Sequence, residues 1–233
     1  MMNKVGIIGG LGPESTVEYY QSIIKKYQQR LGSQEVLPEL VINSINMYQV
    51  FTFISNGNLD GLADYLTKAV NTVDTAGADF AIISANTPHI VFEKVQENTN
   101  IPLISIVEET YKQAESLDLN KMGLIGTKFT MEHDFFKQPF RDGNTEIIVP
   151  HEQEQQYIHE KIVAELENGI VNQETKQSYL EIIERMRKED GIEGIILGCT
   201  ELPMIIKEDD LDIPELNTTD IHINRTVDQI LHS

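Results

Sequence analysis

The sequence predicts an α/β protein with two similar domains, each built on a parallel sheet, that are related by an internal pseudo-twofold duplication. Short apolar runs alternate with longer segments whose apolar residues recur at helical spacing, a pattern typical of parallel sheets covered by helices. Segments of the first half also recur in the second half at nearly constant offsets of 117, 114 and 112 residues. The matched positions are Lys4 and Lys121, Ala85 and Cys199, and Ile101 and Ile213.

The first half predicts four strands with helices between them. Apolar residues at helical spacing predict one helix from Tyr20 to Leu31 and a second from Leu59 to Val73. Residues 46–58 predict a loop that is long enough to reach over a site. The apolar runs that are too short for a helix face, and therefore predict buried strands, are residues 4–10, 40–45, 79–84 and 101–106.

The second half repeats this arrangement, with predicted strands at 121–127, 146–149, 195–197 and 213–216. We expect residues 1–105 plus 210–233 to form the first domain and residues 106–209 to form the second. A pseudo-twofold relation between the copies would bring their strand ends together. Ala85 and Cys199 are therefore expected on opposite walls of one cleft, which would hold the active site.

The composition limits the classes of function. The 233 residues include 37 acidic and 18 basic residues, for a formal net charge of −19, and no basic cluster is interleaved with aromatic residues, which argues against nucleic acid. Glycines and Pro13 interrupt the apolar segment 5–11, so no membrane segment is predicted. One cysteine and no recognisable export signal predict a cytoplasmic protein. A small anionic substrate stays compatible with this charge, because local N–H groups can outweigh a distant, screened field.

Cys199, the single cysteine, is the strongest candidate catalytic residue. The apolar run 195–197 predicts a strand buried on both faces, so the polar run 198–201 follows its carboxyl end, where open α/β sheets bind ligands. We expect a following helix and free backbone N–H groups to favour the thiolate form.

Other patterns are weaker. The glycine-rich segment 6–16 lacks a Walker ending and a well-spaced GxGxxG, so it predicts a tight turn, or a turn whose amides hold a carboxylate, more than a nucleotide site. The six histidines show no metal-ligand spacing, and no metal or other cofactor is predicted. His89 directly follows the turn at Ala85, where a capping or packing role is the preferred interpretation.

Four motifs together resemble the aspartate/glutamate racemase family, the cofactor-independent amino-acid racemases. The resemblance covers essentially the whole chain, and it implies two similar α/β domains, an active site in the cleft between them and a homodimer. In the family's racemases two cysteines flank the α-carbon of the substrate, and Cys199 matches the second of them. The motifs are GIIGGLGPEST from Gly6, SANTPH from Ser84, GTKFTMEHDF from Gly126 and GCTELP from Gly198.

The chain departs from the family at Ala85, where the usual motif has the first cysteine. A methyl group can neither accept nor donate a proton, so a symmetrical two-thiol mechanism is impossible. Some relatives carry threonine at this position and favour one enantiomer, and related arylmalonate decarboxylases work with a single cysteine. Ser84, Thr87, His89 or an ordered water are the candidates for a second proton donor, and Thr87 is the one we name as catalytic beside Cys199.

The resemblance also implies a set of substrate-binding residues. Hydroxyl and amide groups near the turns can donate hydrogen bonds to a carboxylate. No arginine lies nearby to clamp a second carboxylate, and Lys128 is the nearest candidate cation by sequence, although a solvent-facing lysine is an equal alternative. The expected binding residues are Gly10, Met47, Tyr48, Gln49, Asn86, Thr87, Thr127, Thr130 and Thr200, with Asn46 beside them.

Three functions follow from these observations. The first is an amino-acid racemase or epimerase of the aspartate/glutamate type in which Cys199 is the thiolate base, with enantiomer selectivity caused by Ala85. The second is a decarboxylase or isomerase of a small dicarboxylate, in which Cys199 protonates one face of an enolate. The third is a catalytically silent protein that binds carboxylates.

Overall fold

The computed structural model describes residues 2–232 and divides the chain into two compact units. The first unit contains the chain up to Glu109 and from Thr219 onward, and the second contains Thr110–Thr218. Each unit is built on one four-stranded sheet in which all strand pairs are parallel. The predicted fold class, two similar α/β units with parallel sheets, is confirmed.

The sheet of the first unit has strands β1 (Val5–Gly9), β2 (Leu40–Ser44), β3 (Phe80–Ile83) and β4 (Leu103–Ile104). Their order is β2-β1-β3-β4, so β1 and β3 are central. Both central strands are buried throughout, because helices cover the two faces of the sheet. This double burial explains why their sequences are apolar without alternation.

Helices of the first unit begin and end where local sequence signals place them. The first helix begins with Pro13, whose missing N–H is not needed there, and ends at Gly32, which adopts a left-handed conformation with φ 62°. The helices are α1 (Pro13–Leu31), α2 (Met47–Ser55), α3 (Leu59–Thr75), α4 (Phe92–Glu97), the start of α5 (Ile106–Ser116) and α11 (Thr218–Leu231), with a 3-10 helix at Thr87–Val91.

The sheet of the second unit has strands β5 (Lys121–Ile125), β6 (Glu146–Ile148), β7 (Gly194–Leu197) and β8 (Glu215–Asn217), in the order β6-β5-β7-β8. Its main core packs β5 and β7 against two long helices. The helices are α6 (Lys128–Glu132), α7 (Gln138–Asp142), α8 (Glu152–Ala164), α9 (Gln173–Arg185) and α10 (Leu202–Ile205), with short 3-10 helices at Leu166–Asn168 and Glu208–Asp210 and a π-helical segment at Met186–Asp190.

The strand orders confirm that the two halves repeat one topology. In each unit the first strand pairs with the second and the third, and the fourth strand lies beside the third. The third strands begin at Phe80 and Gly194, which keeps the offset of 114 residues between Ala85 and Cys199. The turns after β3 and β7 are therefore equivalent positions of the two copies.

Two expectations about the chain's organisation are corrected. Residues 46–58 contain a helix, α2, because the Asn46 side chain accepts a hydrogen bond from the Tyr48 N–H and so caps it. Residues 210–218 belong to the second unit instead of the first, because β8 pairs with β7 through the register of Ile195 with Glu215, and residues 106–109 belong to the first unit instead of the second.

Candidate active site

Cys199 lies immediately beyond the carboxyl end of the central strand β7, as the sequence predicts. Gly198 makes this position possible, because a Cβ atom there would lie 2.8 Å from Leu124 Cδ1 and 3.1 Å from the carbonyl oxygen of Ile125. The Gly198 N–H instead continues the pairing with β5 by donating to that same carbonyl at 2.8 Å. The close contact of β7 with β5 leaves Cys199 at the sheet's end, where 9% of its surface is exposed.

The thiol of Cys199 donates a hydrogen bond to the carboxylate of Glu201, with 2.8 Å between Sγ and Oε2. Burial, followed by the charge of Glu201 and this hydrogen bond, raises the pKa of Cys199 well above its ordinary value. The charge of Glu167 acts in the same direction. The expected preference for the thiolate is therefore not supported, because burial and the two carboxylates outweigh the backbone N–H of Glu201 that lowers the pKa of Cys199.

Glu167 and Glu201 form an acidic environment for the thiol. Burial and the charge of Glu201 raise the pKa of Glu167. Glu167 lies on the 3-10 helix Leu166–Asn168, which contacts α10 just after Cys199. Our sequence reasoning missed both carboxylates as functional groups. The spacing of two residues between Cys199 and Glu201 was a usable signal, whereas no sequence pattern joined Glu167 to this turn.

Thr127 and Thr130 lie beside the Cys199 turn. A Cβ atom at Gly198 would lie 3.3 Å from Thr130 Cγ2, and one at Gly126 would lie 3.0 Å from the carbonyl oxygen of Gly198. Thr127 caps α6 by accepting from the Thr130 N–H at 3.3 Å, and the two hydroxyl oxygens are 3.1 Å apart. Thr130 is buried, whereas Thr127 and Thr200 are half-buried. Three of the expected binding residues thus accompany Cys199 in the second unit.

The equivalent turn of the first unit follows β3 and carries Ala85, which is half-buried. Its neighbour Ser84 is buried and donates its hydroxyl to the carbonyl oxygen of Ile8 at 3.1 Å. The Ser15 hydroxyl donates to the Ser84 carbonyl oxygen at 2.9 Å. Asn86 is buried and Thr87 is half-buried at the start of the 3-10 helix. Since the Ser84 hydroxyl already donates its hydrogen bond to a backbone carbonyl oxygen, it is a poor candidate for the second proton donor.

His89 has both ring nitrogens engaged by the backbone. Nε2 accepts from the Ile106 N–H at 3.3 Å, so Nδ1 carries the proton and donates to the Ala85 carbonyl oxygen at 2.9 Å. Burial, helped by the neighbouring His222, lowers the pKa of His89 to about 3. His89 is therefore a neutral structural residue that holds the Ala85 turn, in agreement with the preferred packing role. Of the three candidate side chains for the second proton, Thr87 alone is partly exposed.

Gly10 shapes the turn after β1. Its φ of 74° is left-handed, and a Cβ atom there would lie 2.2 Å from the carbonyl oxygen of Ile45. Its N–H donates to the Thr16 hydroxyl at 2.8 Å. This amide is therefore already paired within the turn. The close approach to Ile45 explains why this position requires glycine, and a role of Gly10 in substrate binding stays a prediction.

The remaining expected residues lie on the first turn of α2 and on α6. Met47 is half-buried, and Tyr48 and Gln49 are exposed. Lys128 is already engaged, because its Nζ donates to the Gln156 Oε1 at 3.1 Å and lies 3.7 Å from a Glu132 carboxylate oxygen. The nearest candidate cation thus has partners of its own.

A surface groove of about 490 Å³ in the second unit lies at the other end of the sheet, beside the residues that precede β8. None of the expected site residues lines it, and its Arg185, Arg187 and Lys188 are paired with neighbouring carboxylates. Within residues 2–232, no group of three or more His, Cys, Asp or Glu side chains is arranged to hold a metal ion. Over the same residues, every helix is too short or too polar to cross a membrane.

The fold and the polar turns at its strand ends define an α/β protein with a thiol-bearing candidate active site. The sequence model of the Asp/Glu/Hydantoin racemase family matches residues 8–226. The chain therefore belongs to this racemase family.

Individual relatives agree with this assignment. The chain is 24% identical over 233 residues to the broad specificity amino-acid racemase RacX of Bacillus subtilis (strain 168), covering 97% of this chain and 98% of that protein. The crystal structure of an aspartate racemase homologue from Pyrococcus horikoshii OT3 is 34% identical, covers 99% of this chain and 100% of its own, and superposes with a TM-score of 0.89. The Picrophilus torridus aspartate racemase, 19% identical with a TM-score of 0.77, shares the fold, with 97% of this chain and 94% of that chain covered.

Proposed function

We propose that the protein is an amino-acid racemase or epimerase in which Cys199 exchanges the α-proton of the substrate. The observation that carries this proposal is the hydrogen bond from Cys199 Sγ to Glu201 at the end of β7. A buried thiol beside a carboxylate is a group that can both lose and regain a proton. Relatives described as racemases of amino acids or of aspartate support the same reaction class.

The hydrogen bond from Cys199 to Glu201 supports a balanced proton transfer for the proposed thiol step. The thiol proton moves along the existing hydrogen bond to the Glu201 carboxylate, and the thiolate formed then removes the α-proton from the substrate. The electron pair of the broken C–H bond stays on the substrate as a carbanion, which the next proton transfer quenches. Because burial and the charges of Glu201 and Glu167 raise the pKa of Cys199, a cation nearby is needed to favour the thiolate. The ammonium group of an amino acid supplies that cation when the substrate binds.

Hydrogen-bond donors near the thiol are suited to the substrate's carboxylate. We propose that the half-buried hydroxyls of Thr127 and Thr200, together with Asn86 and Thr87, bind this carboxylate and stabilise charge in the carbanion. Thr130 acts by orienting Thr127, since their hydroxyls are 3.1 Å apart. No cofactor has a role in this scheme. A homodimer in the cytoplasm is proposed from the family resemblance and from the single cysteine.

Ala85 makes the proposed reaction asymmetric. The methyl group cannot take part in proton transfer, so the second face of the carbanion depends on Thr87 or water. A hydroxyl is a far weaker acid and base than a thiol at neutral pH. We therefore propose that the enzyme favours one enantiomer.

The raised pKa of Cys199, caused first by burial and then by Glu201, supports a second candidate function. A neutral thiol is a ready proton donor, and one donor is sufficient to protonate one face of an enolate after decarboxylation or isomerisation of a small dicarboxylate. A protein that only binds carboxylates is the third candidate. It is the one that predicts no reaction at all.

Proton NMR in heavy water tests the proposal. Incubation with L- and D-amino acids should replace the α-proton by deuterium, faster for one enantiomer than for the other. Exchange reports proton abstraction even where inversion fails. Release of CO₂ from a malonate-type diacid without α-proton exchange of any amino acid would favour the decarboxylase instead, and binding without either reaction would favour the silent protein.

A further inference from the structure

The turns that follow the strands of the second unit, which carries Cys199, contain very few cations. We define these strand-end turns by the residues between a strand and the first turn of the next helix, which are residues 126–130, 149–154 and 198–202. They hold one lysine, Lys128, and no arginine, against three carboxylates.

The single lysine is not arranged as a carboxylate clamp. Its Nζ donates to Gln156 and lies near Glu132, one helical turn along α6. Using Lys128 for a substrate would require breaking these contacts. Recognition of a side-chain carboxylate is ordinarily achieved by the bidentate fork of arginine, which the strand-end turns lack.

The environment of the thiol also disfavours further negative charge. Glu201 accepts the hydrogen bond of Cys199, and Glu167 contributes its charge to the same thiol. A substrate held at Cys199 brings one α-carboxylate and one ammonium group, which offset each other. A second carboxylate would add unpaired negative charge beside two existing carboxylates.

The strand-end turns offer apolar and neutral surface instead. Phe129 and Thr200 are half-buried in the same unit as Cys199. Such groups can contact an aliphatic or polar side chain without requiring a counter-charge.

We propose that the substrate is an amino acid without a second carboxylate, with an uncharged or positively charged side chain. This inference rests on the proposed function, since it assumes α-proton exchange at Cys199. Specificity is a difference of two affinities, and here the difference comes from the repulsion of acidic side chains as well as from the contact surface for others.

Deuterium exchange over a panel of amino acids tests this proposal. The panel contains both enantiomers of alanine, methionine, lysine, aspartate and glutamate, with kcat/KM of α-proton loss measured for each. We expect the best neutral or cationic substrate to exceed aspartate and glutamate by about tenfold or more, as unpaired charge repulsion predicts. Aspartate or glutamate as the best substrate would overturn this inference and leave the racemase proposal intact. Exchange of no amino acid on the panel would overturn the proposed function itself.

A lysine variant tests the same inference in a second way. Lys128→Met removes the one cation of the strand-end turns, and Lys25→Met removes an exposed lysine from the middle of α1 as a matched control. The ratio of kcat/KM for glutamate to that for methionine should be the same in wild type and both variants. A selective loss of glutamate exchange in Lys128→Met, with Lys25→Met unchanged, would show a carboxylate site at Lys128 and contradict the proposal.

Discussion

The thiol of Cys199 donates a hydrogen bond to the carboxylate of Glu201, two residues further along the turn that follows β7, with 2.8 Å between Sγ and Oε2. In the proposed mechanism Glu201 has two opposite effects on this thiol. It would accept the proton that the thiol must lose, whereas its charge, added to burial, holds the pKa of Cys199 well above the ordinary value. Under this proposal the same carboxylate enables formation of the thiolate and keeps it unfavourable until a cation binds.

Glu201→Gln separates these two effects. The amide removes the negative charge, so the pKa of Cys199 should fall and the acidic limb of the pH–rate profile for α-proton exchange, where the rate rises as the thiol deprotonates, should move to lower pH. The maximal rate should also fall, by about 10²-fold, because the proton acceptor is lost. Glu97→Gln, an exposed residue of α4, is the control for the change in net charge. A profile with an unmoved acidic limb in Glu201→Gln would show that this carboxylate does not govern the pKa of the thiol.

Ala85→Cys tests the departure from the family motif. A thiol at this position should restore a second acid–base group and raise inversion of an amino acid that the wild type exchanges mainly from one enantiomer. Chiral chromatography combined with deuterium incorporation measures both activities on the same sample. Ala76→Cys, which adds an exposed thiol to the first unit, should leave inversion unchanged. If Ala85→Cys folds and its inversion rate is unchanged, as in Ala76→Cys, then a thiol in the turn after β3 does not exchange protons with the substrate as the first cysteine of the family's racemases does.

Acid should destabilise the first unit through its buried histidines. Burial lowers the pKa of His89 to about 3 and that of His222 to about 4, whereas both groups titrate near 6.5 in the unfolded chain. The unfolded state thus binds more protons between these values, so stability is fully present above pH 6.5 and falls as the pH decreases toward 4. The Tm should drop from pH 7.5 to pH 5.

The histidine variants identify the source of that drop. His89→Asn keeps a donor for the Ala85 carbonyl and removes the titrating ring, so its Tm should depend less on pH than that of the wild type. His133→Asn alters an exposed histidine and should retain the full dependence. Equal slopes in all three proteins would mean that His89 does not control the acid response.

Chelator treatment tests the cofactor-independent scheme. Because hydrogen bonds from threonine and asparagine side chains are proposed to stabilise the carbanion, exchange activity should survive dialysis against EDTA and need no pyridoxal phosphate. Activity that is lost on dialysis and restored by a metal or by pyridoxal phosphate would contradict this scheme.

The strands were predictable because both sheet faces are covered, which makes strands such as β3 and β7 continuous apolar runs. The position of Cys199 followed directly from the end of one such run. The helix α2 was missed although Met47, Val50 and Ile54 recur at helical spacing, because a stripe of nine residues is short for a helix. The strand predicted at residues 101–106 is observed only as the two-residue strand β4, because α5 already begins at Ile106.

The electrostatics of the site were less accessible to sequence reasoning. Proximity along the chain relates Glu201 to Cys199, but the direction of the pKa shift depends on burial, which only the fold defines. Glu167 lies in a short 3-10 helix more than thirty residues before Cys199 in the sequence. No sequence pattern predicts that its carboxylate lies near the thiol. Likewise, the neutral state of His89 follows from its bonds to Ala85 and Ile106.

The most direct test of the account is α-proton exchange by Cys199→Ser in heavy water. Serine keeps the shape of the side chain but is a far poorer base at neutral pH, so exchange should fall by about 10²-fold or more while amino-acid binding measured by calorimetry is nearly unchanged. Circular dichroism and Tm verify that the variant folds. Exchange at the wild-type rate in folded Cys199→Ser would contradict the assignment of Cys199 as the group that removes the α-proton.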